Sequence, residues 1–251
     1  MTDPAEMQAR SRSFGSVAAG YAAHRPTYPP DAVAFLLGRE RPLRVVDLGA
    51  GTGLLTAVVR ELGHHPLAVD PSAEMLAELT ARLPDVETAV GSAESIPAED
   101  ASVDAVVAGQ AAHWFDAAPA AREIRRVLRP GGVLGLIWNS RDERVPWVAA
   151  LGAALAAEAR GHEADQGVVD DFAAALSADV RVTESVVVQR VTPEQVVDGI
   201  ATRSYVAVMD DDGRADFLGR IRSLLAGHPD TRDRRELDLP YVTRAYRLTP
   251  P

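Results

Sequence analysis

A ten-residue stretch, Arg44–Gly53, constrains the fold and the site more than any other feature of the chain. It begins with apolar residues typical of a buried strand, passes through a turn rich in glycine, and ends where a helical pattern starts at Leu54. The glycines of this turn are Gly49, Gly51 and Gly53. Glycine accepts backbone angles that other residues avoid, and it lets a ligand approach the main chain. The first turn of the following helix presents unpaired N–H groups, so the stretch predicts a ligand-binding strand–turn–helix unit.

Two aspartates at predicted strand ends narrow the choice of ligand. Asp47 lies two residues before the first glycine, and Asp70 ends the next apolar run. A carboxylate beside the turn would repel a pyrophosphate but could accept hydrogen bonds from a cationic group. An acid at the end of the second strand is suited to the two hydroxyls of a ribose. The glycine spacing also departs from G-x-G-x-x-G, because Leu54 stands where the third glycine is expected. We therefore expect a ligand with a ribose and a positive charge but without a diphosphate.

With this pair of acids, the motif Val-Val-Asp-Leu-Gly-Ala-Gly-Thr-Gly at residues 45–53 resembles that of the class I S-adenosylmethionine-dependent methyltransferases. The resemblance covers most of the chain. It is greatest to the small-molecule branch that includes the trans-aconitate and the ubiquinone/menaquinone-biosynthesis methyltransferases. The resemblance implies S-adenosyl-L-methionine as cofactor, S-adenosyl-L-homocysteine as product, and a small-molecule acceptor that is methylated on oxygen, carbon or nitrogen.

The same resemblance implies the fold. We expect an α/β, Rossmann-like, doubly wound sheet of seven strands, mostly parallel with the last strand antiparallel, with helices on both faces and a helical lid insertion. Residues 1–251 would form one domain. Within it, we expect a cofactor cover at 1–30, a cofactor-binding core at 31–139, a lid insertion at 140–179, and the remaining strands and helices at 180–251.

The resemblance also implies cofactor contacts outside the glycine turn. Arg25 could pair with the methionine carboxylate, since a guanidinium suits that planar anion, and Met75 would lie near the adenine. Ser92 stands where relatives often carry an aspartate that accepts from the adenine amino group, and the Ala93 N–H could serve a ring nitrogen. A surface position for Arg25 and simple packing roles for Met75 and Tyr21 are the alternatives. The predicted cofactor-binding residues are Tyr21, Arg25, Asp47, Gly49, Ala50, Gly51, Asp70, Pro71, Met75, Ser92, Ala93 and Gln110.

The loop after the fourth predicted strand, at residues 109–116, should face the methyl donor, because ligands of doubly wound sheets bind near the switch point. His113 in this loop is the candidate general base if the acceptor is a hydroxyl or an acidic carbon. A carboxylate acceptor needs no base, and a histidine that only lines the pocket is the alternative. Weaker candidates for a lid over the substrate are Trp138, Asn139, Arg141, Arg203 and Tyr205.

Composition excludes several classes of protein. The net charge of −10 argues against a nucleic-acid substrate, whose phosphates need a basic surface. No apolar run is long enough to span a membrane, and the N-terminus lacks the regions of a signal peptide. The absence of cysteine excludes disulfides and thiol catalysis and fits a cytoplasmic protein.

Adjacent side chains diverge, so His64 and His65 do not predict a metal site. Nothing in the sequence indicates an oligomeric state.

Two other functions compete with a methyltransferase. A nucleotide-dependent oxidoreductase is disfavoured by the glycine spacing and by the charge of Asp47. A non-catalytic protein that retains S-adenosylmethionine for regulation or assembly would need the same binding residues, so these residues alone do not distinguish it from an enzyme.

Overall fold

The computed structural model of the 251-residue chain describes residues 25–38, 41–155, 162–203, 206 and 209–251. The predicted contact Tyr21, the greater part of the predicted cover at 1–30, and the lid candidate Tyr205 lie outside these ranges. No described helix combines the length and the apolar character that crossing a membrane requires.

Seven strands of the described chain form one sheet. They are β1 (Arg44–Leu48), β2 (His65–Asp70), β3 (Glu87–Val90), β4 (Val103–Gly109), β5 (Leu128–Arg141), β6 (Asp179–Val191) and β7 (Leu237–Thr249). Their order is β3-β2-β1-β4-β5-β7-β6, and the strands from β3 to β5 pair in parallel. The sheet is mostly parallel with β7 antiparallel, so the predicted fold class is confirmed. The order reverses between β1 and β4, which creates the switch point at which ligands bind in such sheets.

The helices connect the strands and cover the sheet. They are α1 (Pro30–Leu37), α2 (Leu54–Glu61), α3 (Ala73–Arg82), α4 (Ala117–Val127), α5 (Pro146–Ala154), α6 (His162–Leu176), α7 (Pro193–Ala201) and α8 (Asp211–Gly227). Several of these helices begin after a serine, threonine or aspartate, which are residue types that commonly cap helix N-termini. The side chains of Ser72 and Asp116 each accept a hydrogen bond from the first turn of the helix that follows, and Thr192 forms a capping box with Gln195.

The chain divides into two compact units, of which the larger contains residues 27–139, 161–185 and 243–251. Neighbouring residues of β1 belong to opposite faces of the sheet in this unit. Val46 lies in the apolar cluster that includes Ile124 of α4 and Phe172 of α6, whereas Val45 lies in the cluster that includes Leu36 of α1 and Leu55 of α2. Both faces of the strand are therefore buried, which is why it reads as a continuous apolar run.

The smaller unit contains residues 1–26, 140–160 and 186–242. In its described part, α5, α7 and α8 share an apolar cluster that includes Trp147, Ile200 and Ile221. The guanidinium of Arg222 on α8 also pairs with the carboxylate of Glu194 on α7. This unit is assembled from chain segments that are far apart in the sequence.

The segment 140–179, predicted as one helical insertion, is divided between the two units. Helix α5 belongs to the smaller unit, whereas α6 belongs to the larger unit, where Val169, Phe172 and Leu176 are buried. The Arg125 guanidinium on α4 donates a 2.7 Å hydrogen bond to the backbone oxygen of Leu176, which joins α6 to α4. An amphipathic stripe shows that a helix is buried, but it does not specify which surface the helix packs against.

Candidate functional site

The glycine turn between β1 and α2 uses backbone angles that favour glycine. Gly49, Gly51 and Gly53 have φ values of +67°, +55° and +84°, all in the left-handed region. The N–H groups of Gly49 and Ala50 both donate to the backbone oxygen of Val69 on β2, at 2.8 and 3.1 Å. The turn is therefore held against the end of the neighbouring strand.

The surroundings of the three glycines assign them different tasks. A Cβ on Gly49 would lie 2.6 Å from the Cβ of Ala111, and one on Gly53 would lie 2.7 Å from the Cγ of Leu79. A Cβ on Gly51 would meet no described atom within 4 Å. Gly49 and Gly53 therefore permit close packing within the protein, whereas Gly51 borders open space that a ligand can enter.

Asp70 closes this space on the side of β2. Its Oδ2 accepts a 2.9 Å hydrogen bond from the N–H of Gly51, and its Oδ1 accepts one of 2.9 Å from the N–H of Ser72. Burial raises the pKa of this carboxyl group, and the bonds from Ser72 and Gly51 partly oppose that effect. A carboxylate has further lone pairs, so these bonds leave acceptor capacity for a ligand hydroxyl.

Asp47 is the most deeply buried acid of the site, with only 1% of its surface exposed. Its Oδ2 accepts a 2.6 Å hydrogen bond from the hydroxyl of Thr56, and its Oδ1 has no hydrogen-bond partner among the described residues. Burial raises the pKa of Asp47 to about 7; the negative charge of Asp70 adds to the rise, and the bonds from Thr56 oppose it. Because a buried acceptor without a donor is costly, Oδ1 is suited to a donor that a ligand brings.

Four further predicted contacts lie in the segments that follow β2 and β3. The N–H of Gly91 donates to the Asp70 backbone oxygen at 3.2 Å, which places the loop after β3 beside the end of β2. In that loop, Ser92 and Ser95 exchange backbone hydrogen bonds, and Ala93 is buried. Met75, in the first turn of α3, is also buried. Pro71, which directly follows Asp70, is exposed.

Gln110 joins the ends of β4 and β5. It has a φ of +56°, which is uncommon for a residue with a side chain. Its N–H donates to the Ile137 oxygen at 2.9 Å, and its side-chain Nε2 donates to the Asn139 oxygen at 2.7 Å. Asn139, predicted as a lid candidate, is buried in the larger unit, where its amide binds the Thr27 oxygen and the Thr243 hydroxyl.

His113 lies on a short 3₁₀ turn, Ala112–Trp114, that follows β4. The side chain is half-buried, and its ring centre is 4.9 Å from that of Trp114. This position follows the carboxyl end of β4, the edge at which ligands of doubly wound sheets bind. Its role as a base stays a prediction.

Sequence reasoning missed Thr56, the hydrogen-bond partner of Asp47. The available signal was a polar residue at a core-facing position of α2, where its neighbours Leu55, Val58 and Val59 are buried. The predicted contact Arg25 is half-buried and belongs to the smaller unit. Within the described ranges, no three histidine, cysteine, aspartate or glutamate residues are grouped so as to hold a metal ion.

Comparison with known proteins identifies the family. Residues 46–136 match the family model of a methyltransferase domain. The chain is 44% identical over 239 residues to an uncharacterised methyltransferase of Mycobacterium bovis, an alignment that covers 95% of this chain and 96% of the relative. It is 33% identical over 196 residues to the malonyl-[acyl-carrier protein] O-methyltransferase of Enterobacter lignolyticus, which covers 70% of this chain and 78% of that protein.

A solved structure from Anaeromyxobacter dehalogenans, assigned as a type II methyltransferase, superimposes with a TM-score of 0.68 and 25% identity. The match covers 90% of this chain and 97% of the other. The sequence relatives, the strand order and the glycine turn agree, and the chain belongs to the class I S-adenosylmethionine-dependent methyltransferases.

Proposed function

We propose that this methyltransferase binds S-adenosyl-L-methionine at the carboxyl ends of β1 and β2, transfers the methyl group to a small molecule, and releases S-adenosyl-L-homocysteine. Two features of the strand–turn–helix unit together carry the proposal. Asp47 Oδ1 is a buried acceptor without a donor among the described residues, and the space beside Gly51 is open. A ligand with an ammonium group would supply the missing donor and could approach the backbone at the glycine.

The charge of the site supports a cationic nucleoside over a dinucleotide. Asp47 and Asp70 are close enough for the charge of Asp70 to act on the pKa of Asp47. A pyrophosphate placed beside these two carboxylates would be repelled, whereas a sulfonium and an ammonium would be attracted. The negative charge of the two carboxylates therefore disfavours a nucleotide-dependent oxidoreductase.

The remaining contacts follow from the same placement. We assign Asp70 to the ribose hydroxyls, Met75, Ser92 and Ala93 to the adenine, and Gln110 to the side of the site that faces β4. Gly49, Ala50 and Pro71 complete the backbone that surrounds the ligand. The contacts of Tyr21 and Arg25 stay predictions.

The bound cofactor would supply an electrophilic methyl group with a neutral thioether as leaving group. The protein therefore need not stabilise a departing anion, and much of its contribution is the positioning of donor and acceptor. If the acceptor is a hydroxyl or an acidic carbon, His113 is the candidate for removing its proton. If the acceptor is a carboxylate, His113 only lines the pocket.

The acceptor is a small molecule, and the name of the E. lignolyticus relative makes a carboxylate oxygen the first accepting atom to test. Hydroxyl, carbon and amine acceptors follow. The net charge of −10 supports a substrate other than nucleic acid and, together with the absence of cysteine, fits a cytoplasmic enzyme.

Calorimetry tests the proposal directly. Purified protein should bind S-adenosylmethionine and S-adenosylhomocysteine and should not bind NAD. Asp47→Asn should weaken both ligands at least about tenfold, because a neutral amide replaces the charged acceptor. Asp85→Asn, at an exposed aspartate paired with Arg60, is the matched control and should bind normally. Absence of heat with either nucleoside would refute the proposal.

Turnover separates an enzyme from a non-catalytic binder. Cofactor with a labelled methyl group, incubated with carboxylic acids, phenols and amines, should label one of these classes. On the substrate so identified, His113→Ala should lower kcat by about 100-fold or more if His113 is the base. Unchanged turnover would leave His113 as a pocket residue. Binding without labelling of any acceptor class would favour the non-catalytic alternative.

A further inference from the structure

The hydroxyl of Thr56 has one described partner, and that partner is the acid at the centre of the site. Thr56 lies in the first turn of α2 and is 0% exposed. Its Oγ1 is 2.6 Å from Asp47 Oδ2. A threonine hydroxyl inside a helix commonly donates to the backbone oxygen one turn earlier, but here its single proton is donated to a carboxylate across the turn.

We propose that Thr56 is a positioning residue for the cofactor: it holds Asp47 by Oδ2 so that Oδ1 is the acceptor presented to the ligand. This inference rests on the proposed function, since it names what prepares Asp47 for a cationic ligand. The role differs from that of a packing residue. Valine has nearly the same shape as threonine, so it would fill the same space but could not donate to the carboxylate.

The physical effect of Thr56 is on the ionisation of Asp47. Burial and the charge of Asp70 both favour the protonated acid, and the bonds from Thr56 oppose them. Without the hydroxyl, the pKa of Asp47 should rise above its value of about 7. A protonated carboxyl has no charge to attract an ammonium, so the ligand would bind only the smaller ionised fraction of the protein.

The sign of the effect follows from this fraction. At low pH, the Thr56→Val variant should have less ionised Asp47 than the wild type and should bind more weakly. At a pH well above both pKa values, Asp47 is ionised in both proteins, and their affinities should converge. If Asp47 is a tenfold weaker acid in Thr56→Val than in the wild type, the affinity of the variant should be about fivefold lower at pH 7 and less than about twofold lower at pH 9.

The experiment is calorimetric titration of wild type, Thr56→Val and Thr56→Ser with S-adenosylhomocysteine at pH 6, 7, 8 and 9. The quantity compared is the ratio of variant to wild-type Kd at each pH, in which the titration of the ligand's own amino group cancels. For Thr56→Val, the ratio should be about five or more at pH 7 and should approach one at pH 9. Thr56→Ser retains the hydroxyl and should restore the wild-type profile.

Two further variants guard against a general loss of stability. Thr231→Val removes a similarly buried hydroxyl, which donates to the backbone oxygen of Leu225, and should leave the ratio near one at every pH. Thr56→Ala replaces Thr56→Val if the valine variant does not fold. A ratio for Thr56→Val that is independent of pH, or a serine variant that fails to restore binding, would overturn the role of Thr56 and leave the proposed function standing. Wild-type protein that binds no nucleoside at any pH would overturn both.

Discussion

The carboxylate of Asp70 accepts a 2.9 Å hydrogen bond from the backbone N–H of Gly51, and this bond ties the end of β2 to the turn that follows β1. The second Asp70 oxygen accepts from the N–H of Ser72, at the start of the segment that leads into α3. One side chain thus orders both loops that border the open space beside Gly51. These two hydrogen bonds hold the loops in place without a ligand, which would lower the ordering cost of any ligand that binds there.

Alanine substitutions at Gly51 and Gly53 should have different effects on ligand binding and on stability. Gly51→Ala should lower the free energy of unfolding by only about 1 kcal/mol, the cost of a side chain in the left-handed region, but should abolish most of the cofactor affinity. Gly53→Ala carries the same backbone cost and also brings its Cβ to 2.7 Å from Leu79, so it should lose about 2–4 kcal/mol. Urea denaturation and calorimetry measure the two effects.

Gly63→Ala is the matched control for this pair. Gly63 has a φ of +82°, and a Cβ there would meet no described atom within 4 Å, yet it follows α2 and borders no predicted contact. It should lose about as much stability as Gly51→Ala and keep full affinity. Equal affinity in the Gly51 and Gly63 variants would contradict the assignment of the space beside Gly51 to the ligand.

Ionised Asp47 should destabilise the ligand-free protein at alkaline pH. The pKa of Asp47 is about 7 in the folded state against an ordinary value of 3.8, so between these two values only the folded protein holds the proton. The folded protein therefore loses stability as the pH rises from 3.8 through about 7. The full difference corresponds to about 4 kcal/mol. Asp47→Asn, which avoids this charge, should therefore gain stability relative to the wild type between pH 5 and pH 8, as measured by urea denaturation. A difference that does not change over this range would contradict the prediction.

Asp104, at the start of β4, should have the opposite pH dependence. Burial opposes its ionisation, but hydrogen bonds from the Arg44 N–H and from the guanidinium groups of Arg41 and Arg129 outweigh it and lower the pKa of Asp104. The stability that this carboxylate contributes is present above pH 3.8 and is lost as the pH falls through the lower pKa of the folded state. Asp104→Asn should cost about 2–3 kcal/mol at pH 7.

The difference between Asp104→Asn and wild type should shrink below about pH 4, where the wild-type carboxylate becomes protonated. Urea denaturation at pH 7 and pH 3.5 measures it. Asp85→Asn removes an exposed partner of Arg60 and should have a much smaller effect at pH 7. Losses of similar size in Asp104→Asn and Asp85→Asn would show that the buried Asp104 carboxylate contributes no more stability than an exposed ion pair.

Arg126 on α4 should control the order of the loop at 96–100. Its guanidinium donates to the Glu123 and Asp100 carboxylates and to the backbone oxygens of Ala98 and Ile96, at 2.8–2.9 Å. Lysine cannot reproduce this planar set of donors, so Arg126→Lys should cost about 1–2 kcal/mol and increase hydrogen exchange in the loop. Arg122→Lys, exposed on the same helix, is the control and should change neither quantity.

The proximity of Asp47 and Asp70 could be predicted because parallel strands bring their ends together. Asp47 and Asp70 are 23 residues apart in the chain. Asp47 lies one residue before the end of β1 and Asp70 ends the neighbouring β2, so a correct strand assignment places them close together. The bond between Gly51 and Asp70 is consistent with that placement. The partnership of Asp47 with Thr56 could not be predicted in the same way, because it depends on the rotation of α2 against the end of β1.

The sequence by itself determined the strand–turn–helix unit and the family, because apolar periodicity, glycine and the two acids are local patterns that each allow few structures. Only the tertiary structure decided that α6 packs beside α4 while α5, α7 and α8 share a separate apolar cluster. It also decided which Asp47 oxygen has a hydrogen-bond partner among the described residues and which has none. The reason is physical: an apolar stripe has no directional partner, and a carboxylate accepts from any donor within reach, so both outcomes depend on which surfaces meet in the folded chain.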